Sequence, residues 1–184
     1  MINIESIINQ PYMVIKKEFN KRTYNGVIKC EYYEENRYFK IGIELWNENE
    51  SNTYGSVDVH IYVDRFSESG KMGFENLAVP NRISNKGIGT ALMETVIELS
   101  KIFKAYYCPT KEEIKISGWL SVSDYENGNW NKALPFYQRI GIKNNVDVLF
   151  IGKNSRDEYR DWKSYLENEK NNDGSVIFKI KEKQ

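Results

Sequence analysis

Ten residues, Asn81 to Thr90, reading NRISNKGIGT, hold the densest chemical signal in this sequence. They stand between an apolar run ending Leu77-Ala78-Val79 and the amphipathic stretch ALMETVIELSK. Gly87 and Gly89, placed where a strand turns into a helix, let the backbone approach a ligand closely, and the first turn of that helix offers unpaired amides to an anion. The pattern is that of a pyrophosphate cradle and points to a nucleotide-bearing cofactor. Gly87 and Gly89, with Lys86 and Ile88 beside them, leave the backbone open so that several amides can converge on phosphate oxygens, and each charge-assisted bond contributes on the order of 1.5–3 kcal/mol. Thr90 adds a hydroxyl, and Arg82 and Lys86 supply positive charge. A Walker loop is excluded because no Gly, four residues, Gly-Lys-Ser/Thr pattern is present, and a Rossmann turn wants a third glycine where Leu92 stands. The bland alternative is a glycine-rich helix start with no ligand.

The elements that must hold this turn are legible on either side of it. Val27 to Tyr33, Arg37 to Trp46 and Tyr54 to Val63 alternate as antiparallel strands, separated by a turn at Glu35-Asn36 and a longer one at Asn47 to Thr53. Arg65 to Met72 reads as a polar loop, and Phe74 to Val79 as a short strand stopped by Pro80. From Ile88 the apolar residues Leu92, Val96, Leu99, Phe103 and Tyr106 recur at helical spacing, with Glu94, Glu98, Lys101 and Lys104 between them. After Cys108-Pro109-Thr110, Ile114 to Leu120 reads as a strand and Ala133 to Ile140 as a short helix closed by Gly141. Val146 to Ile151 and Val176 to Ile180 read as the last strands, with a charged helix from Arg156 to Glu169 between them.

Composition bounds the function classes. At 184 residues the chain suits one core, and its 26 basic and 26 acidic residues balance, so no global field draws it to nucleic acid or an anionic membrane. Cys30 and Cys108 lack metal-ligand or redox spacing, no leader pattern opens the sequence, and no apolar stretch reaches membrane-spanning length. The expectation is a cytoplasmic, reduced protein that needs no metal and does not enter a membrane. A homodimer is left open.

The run Leu77 to Leu92 resembles the acyl-CoA binding motif of the GNAT superfamily of N-acetyltransferases: a strand, a short turn, Gln or Arg, two residues, Gly, one residue, Gly. A second block, Asn131-Lys132-Ala133-Leu134-Pro135-Phe136-Tyr137-Gln138-Arg139-Ile140-Gly141-Ile142, is similar to the family's later segment, where an Asn opens a helix that carries a Tyr and ends in Gly plus an apolar residue. The two blocks stand in the family's order and together cover roughly the central third of the chain. Ser84 departs from the pattern, since it occupies the place of the Gln or Arg.

The resemblance implies a single domain with a mixed, mostly antiparallel α+β sheet of about seven strands. A central helix would follow the fourth strand and a second short helix the fifth. Residues 1–72 would form the acceptor side, 73–107 the strand, turn and helix for acyl-CoA, 114–142 a strand and the tyrosine helix, and 146–184 the closing strands with their helix. It implies acetyl-CoA as cosubstrate and a primary amine of unspecified identity as acceptor, joined in a ternary complex. Leu77, Ala78 and Val79 would pair with the pantetheine arm, the Leu77 amide donating to the thioester carbonyl. Arg82, Ser84, Asn85, Lys86, Gly87, Ile88, Gly89 and Thr90 would hold the diphosphate.

Tyr137 would be the general acid to the departing thiolate. A phenol near pKa ~10 reaches a thiolate near ~8.5 only in contact. Asn131 would cap its helix or bond the pantetheine. The attacking amine, with pKa ~10.4, needs a proton acceptor. Glu75, on the face of Leu77 and Val79 by the two-residue period, is the first candidate, and Asp58 and His60 are the reserves. Residues 23 to 64 leave little room for the helices that usually wall the acceptor cleft, so Val122 to Asn129 and Trp130, with Asp124, Tyr125 and Glu126, and the helix between the final strands would take that part. The alternatives are a larger acyl group, a non-catalytic CoA-binding or protein-interaction module, and a toxin acting on charged transfer RNA, against which the neutral charge argues.

Overall fold

Tyr38 to Asn47 alternates buried Phe39, Ile41, Ile43 and Leu45 with more open Tyr38, Lys40, Gly42 and Glu44, and this period-two pattern forces a sheet with one dry face. A computed structural model describes residues 4–10, 12–19, 21–47, 50–63, 70–79, 87–107, 109, 115–152, 155–169 and 174–180. Its contacts gather the chain into two compact units, Met1–Lys111 and Glu112–Gln184. The class is mixed α and β with antiparallel strand pairing throughout the described ladders.

In the first unit, β1 (Met13–Phe19), β2 (Arg22–Tyr33), β3 (Tyr38–Asn47), β4 (Glu50–Val63) and β5 (Gly70–Ala78) pair in sequence order as an antiparallel meander. Helix α1 (Ile4–Asn9) buries Ile4 and Ile7. Helix α2 (Ile88–Tyr107) packs on β1, β3, β4 and β5. Leu92, Val96, Leu99 and Phe103 of α2 and Ile43, Val59, Ile61, Met72 and Phe74 of the strands make up this core, with Phe103 edge-on to Phe39 at 5.1 Å between ring centres. Truncating one such leucine to alanine costs about 2–5 kcal/mol. Lys17 of β1 turns inward and pairs with Glu98 of α2, tying the strand to the helix.

In the second unit, β6 (Lys115–Leu120), β7 (Asp147–Gly152), β8 (Glu158–Tyr159) and β9 (Gly174–Lys179) pair in the order β6-β9-β7-β8. Helices α3 (Val122–Glu126), α4 (Trp130–Asn144) and α5 (Trp162–Asn168) complete it, and α4 and α5 pack on β7 and on each other. Trp130, Leu134, Tyr137, Ile140, Phe150, Tyr165 and Phe178 form its interior.

Several expectations need correction. The described residues hold nine strands where about seven were expected, so α2 follows the fifth strand and α4 the sixth. The unexpected strands are β1, whose sequence MVIKKEF hides one buried Ile15 among charges, and the two-residue β8. The expected loop at Arg65 to Met72 already contains β5 from Gly70, and β4 begins at Glu50 inside the expected turn. The expected helix from Arg156 shrinks to α5, which Asp161 caps by accepting from the Ser164 amide at 2.9 Å. On α2, Lys104 is buried and Tyr106 exposed, the reverse of the amphipathic reading, because the helix is covered on more than one side.

Helix α4 is fifteen residues long and passes through Gly141 without stopping. The left-handed stop is Asn145, at φ 56°, which donates to the carbonyls of Gly141 and Ile142. Gly141 serves close packing instead: a Cβ there would lie 2.5 Å from Val148 Cγ2 and 2.9 Å from the Val146 carbonyl oxygen. Asn131 does not cap α4, since it sits exposed inside the helix and Asn129 holds the cap position.

Candidate functional site

The strand that leads into the glycine turn is not regular. Asp58 pairs with Glu75 and Ser56 with Ala78, so Val57 alone faces both Asn76 and Leu77. This is a β-bulge: one extra residue in β5 interrupts the ladder and re-aims the backbone. It falls on Asn76 and Leu77, and Leu77 is the position whose amide the resemblance singles out. Leu77 and Val79 are half-buried. The bulge also breaks the two-residue period that placed Glu75 on one face with Leu77 and Val79. Glu75 stands opposite Asp58 in register, and its side chain, like that of Ala78, lies outside the described residues.

The glycine turn itself is described from Gly87 onward, and Arg82, Ser84, Asn85 and Lys86 lie outside the described residues. Gly87 takes φ 94°, a conformation that only glycine adopts without strain, and its carbonyl accepts the Ala91 amide at 3.0 Å as the first bond of α2. The amides of Ile88, Gly89 and Thr90 have no partner within the helix, as at any helix start. Gly89 and Thr90 are half-open while Ile88 is fully buried, so Ile88 anchors the turn in the core and its neighbours face outward. No acidic residue of its own occupies the first turn of this twenty-residue helix, whose N-terminal end is the positive one.

The reserve bases lie on the open face of the same sheet. His60 Nδ1 is hydrogen-bonded to the Tyr38 hydroxyl, and the Tyr38 ring stacks on His60 at 5.8 Å and on Tyr62 at 4.6 Å. Asp58 stands opposite Gly42, whose missing side chain leaves Asp58 Oδ1 3.9 Å from the place a Cβ would take. Among the described residues, the strands β2 to β4 follow one another with a 3-10 turn, Glu34–Asn36, as the helical structure between them.

In the second unit, Tyr137 is 6% exposed on the inner side of α4, edge-on to Phe178 of β9 at 5.8 Å and to Phe136 at 5.1 Å. Burial pushes its phenol well above the ordinary tyrosine range, and the negative charge of Asp124 pushes it the same way. Asp124 belongs to α3, the segment expected as an acceptor-side wall. It is fixed there: Ser121 Oγ donates to its carboxylate at 2.8 Å, Asn129 Nδ2 donates at 3.2 Å, and its own amide donates back to Ser121 Oγ. Trp130 Nε1 donates to the Ser121 carbonyl at 3.0 Å, and Tyr125 lies edge-on to Trp130 at 5.1 Å. Sequence reasoning missed both the bulge and the bearing of Asp124 on Tyr137. The Ser121-x-x-Asp124 spacing, a helix-start signature, was the available signal for the second; the bulge had none.

Among the described residues no group of three or more His, Cys, Asp or Glu is gathered as a metal site, and no helix is long and apolar enough to cross a membrane. No family model, curated protein or solved structure matches the chain.

Proposed function

We propose that the protein is an N-acetyltransferase that passes an acetyl group from acetyl-CoA to a primary amine by direct attack. The observation that carries the reading is the run from the β5 bulge at Asn76-Leu77 to Gly87 at φ 94° heading α2. A re-aimed strand amide followed by a glycine-led helix start is what a thioester carbonyl and a diphosphate on one ligand require. In this reaction the amine nitrogen bonds to the acetyl carbon, the carbon–sulfur bond breaks, and the thiolate leaves. The Leu77 amide donates to the oxygen that gains charge, and the amides of Ile88, Gly89 and Thr90 hold the diphosphate, aided by Arg82, Ser84, Asn85 and Lys86. Glu75 takes the ammonium proton, with Asp58 and His60 as alternatives. Asn131, exposed on α4, contributes at most a hydrogen bond to the pantetheine arm.

Passing a proton from a free phenol to a thiolate is uphill by about 1.5 pKa units, roughly 2 kcal/mol. Burial makes the step steeper. In the role that the resemblance gives it, Tyr137 is a hydrogen-bond donor to the departing sulfur, and the proton crosses only on contact. The same burial, with Ser84 in place of a longer side chain, favours a second reading, a CoA-binding module without turnover.

Two measurements separate these. A melting temperature raised by acetyl-CoA together with thiol release against a panel of primary amines supports the transferase. A raised melting temperature with no thiol release supports the binding module, and no rise at saturating acetyl-CoA overturns both.

A further inference from the structure

Helix α2 covers one face of the first unit's strands, and the alternate residues of β2 to β5 make up the other face. An antiparallel sheet with one face in water carries polar side chains there. This open face carries aromatic rings as well, in two bands. At one end of the strands Tyr33, Tyr38 and Tyr62 stand in register on β2, β3 and β4, their rings stacked at 5.4 and 4.6 Å between centres. At the other end Trp46 of β3 stands opposite Tyr54 of β4. Tyr33, Tyr54 and Tyr62 are 47%, 44% and 52% exposed. Charges lie between and beside the bands: Glu31 and Lys29 on β2, Lys40 and Glu44 on β3, Asp58 on β4, and Lys71 on β5 opposite Tyr62.

This pattern is complementary to itself. A two-fold axis parallel to the strands and midway between β3 and β4 lays β3 of one copy on β4 of the other and β2 on β5, and keeps each cross-strand row at its own level. Tyr38 then meets the partner's Tyr62, and Trp46 meets the partner's Tyr54. Gly42, without a side chain, meets the partner's Asp58; Lys29 comes beside that carboxylate and Glu31 beside the partner's Lys71. An axis on β3 would set Lys40 and Glu44 each against its own copy, and one on β4 would do the same to Asp58, so like charges exclude both. Four strands about 4.8 Å apart and some ten residues long, at about 3.4 Å each, offer on the order of 600 Å² per copy, near the roughly 800 Å² of a standard interface. We propose that this open face is where two copies of the chain pair, as a two-fold sandwich of antiparallel sheets. The pairing does not depend on the acetyltransferase reading. Within that reading it covers Asp58 and His60 and leaves Glu75, on the marginal strand β5, as the base.

Sedimentation equilibrium of the full chain from about 1 to 100 μM is expected to show monomer passing into dimer. Tyr62→Lys puts a charge where an exposed ring meets the partner's Tyr38, and is expected to weaken the dimer about tenfold or more. Ile142→Ser, at an exposed apolar residue of α4, is expected to leave it unchanged. Glu31→Lys and Lys71→Glu each set like charges against each other and are expected to weaken it about threefold or more, and an equimolar mixture of the two variants is expected to recover it. That recovery distinguishes a lost interface from a lost fold. A parent that stays monomeric throughout the range, a dimer that survives Tyr62→Lys, or a mixture no tighter than its components overturns the proposal. The acetyl-CoA melting shift and thiol release are read on the parent separately, so the dimer and the transferase stand or fall apart from each other.

Discussion

The two glycines of the turn should respond in opposite directions to the same methyl group. Gly87 holds φ 94°, and an L-residue forced there stores strain of about 1–2 kcal/mol. Gly89 is the second residue of α2, where alanine relieves the entropy of a helical glycine and gains up to about 1 kcal/mol, less where the end frays. Gly87→Ala is therefore expected to destabilise the protein and Gly89→Ala to leave it unchanged or slightly firmer. The two variants should be separated by roughly 2 kcal/mol, about 4–8 °C in melting temperature for a chain of this length. Thermal and urea unfolding without ligand measure that separation. Acetyl-CoA then tests the proposed cradle independently, because both methyl groups would crowd the backbone that faces the phosphates in the proposed complex. The ligand-induced rise in melting temperature is expected to shrink in both variants, including the one that is not destabilised. Equal destabilisation by the two substitutions would refute the helix start at Ile88, and a full ligand response in Gly89→Ala would refute the phosphate cradle.

Three further outcomes follow. Tyr137→Phe should lower thiol release by about 10²–10⁴-fold while leaving the acetyl-CoA melting shift intact, and undiminished turnover would remove the tyrosine from the mechanism. Gly141→Ala should destabilise by about 1–3 kcal/mol despite its better helix propensity, because the new methyl meets Val148 and the Val146 carbonyl; Asn145→Gly, at the true left-handed stop, should cost nothing in the same denaturation assay. Burial and then the Glu31 charge raise the Cys30 thiol from 9.0 to about 11, and burial chiefly raises the Tyr107 phenol from 10.0 to about 12. Acids held protonated by the fold leave stability complete below the unfolded values, and it is lost as pH climbs through 11 and then 12. Urea midpoints measured at rising alkaline pH should fall less steeply in Cys30→Ala than in the parent, and parallel curves would discount the thiol.

What the sequence determined by itself is what local repetition encodes. The start of α2 at Ile88 was legible because apolar residues recur at helical spacing immediately after a glycine that cannot be replaced cheaply. The strands β2, β3 and β4 were legible because alternate residues face one dry side. The candidate site was legible to the extent that it is made of such elements: Gly87, Gly89 and Tyr137 each stand on the kind of element expected of them.

Tertiary structure alone decided the rest, because the deciding partner is distant in sequence. Nothing in Glu75-Asn76-Leu77 announces a bulge, since a bulge is a mismatch of count against β4. Nothing in the sequence pairs Lys17 of β1 with Glu98 of α2, which stand eighty-one residues apart. Gly141 reads as a helix stop until Val148 crosses its surface and requires the missing side chain. Asp124 reads as part of an acceptor-side wall, and only the folded chain shows it fixed by Ser121 and Asn129 at the start of α4. Periodicity is a property of the chain taken a few residues at a time, whereas register, close approach and electrostatic coupling exist only between segments that folding brings together.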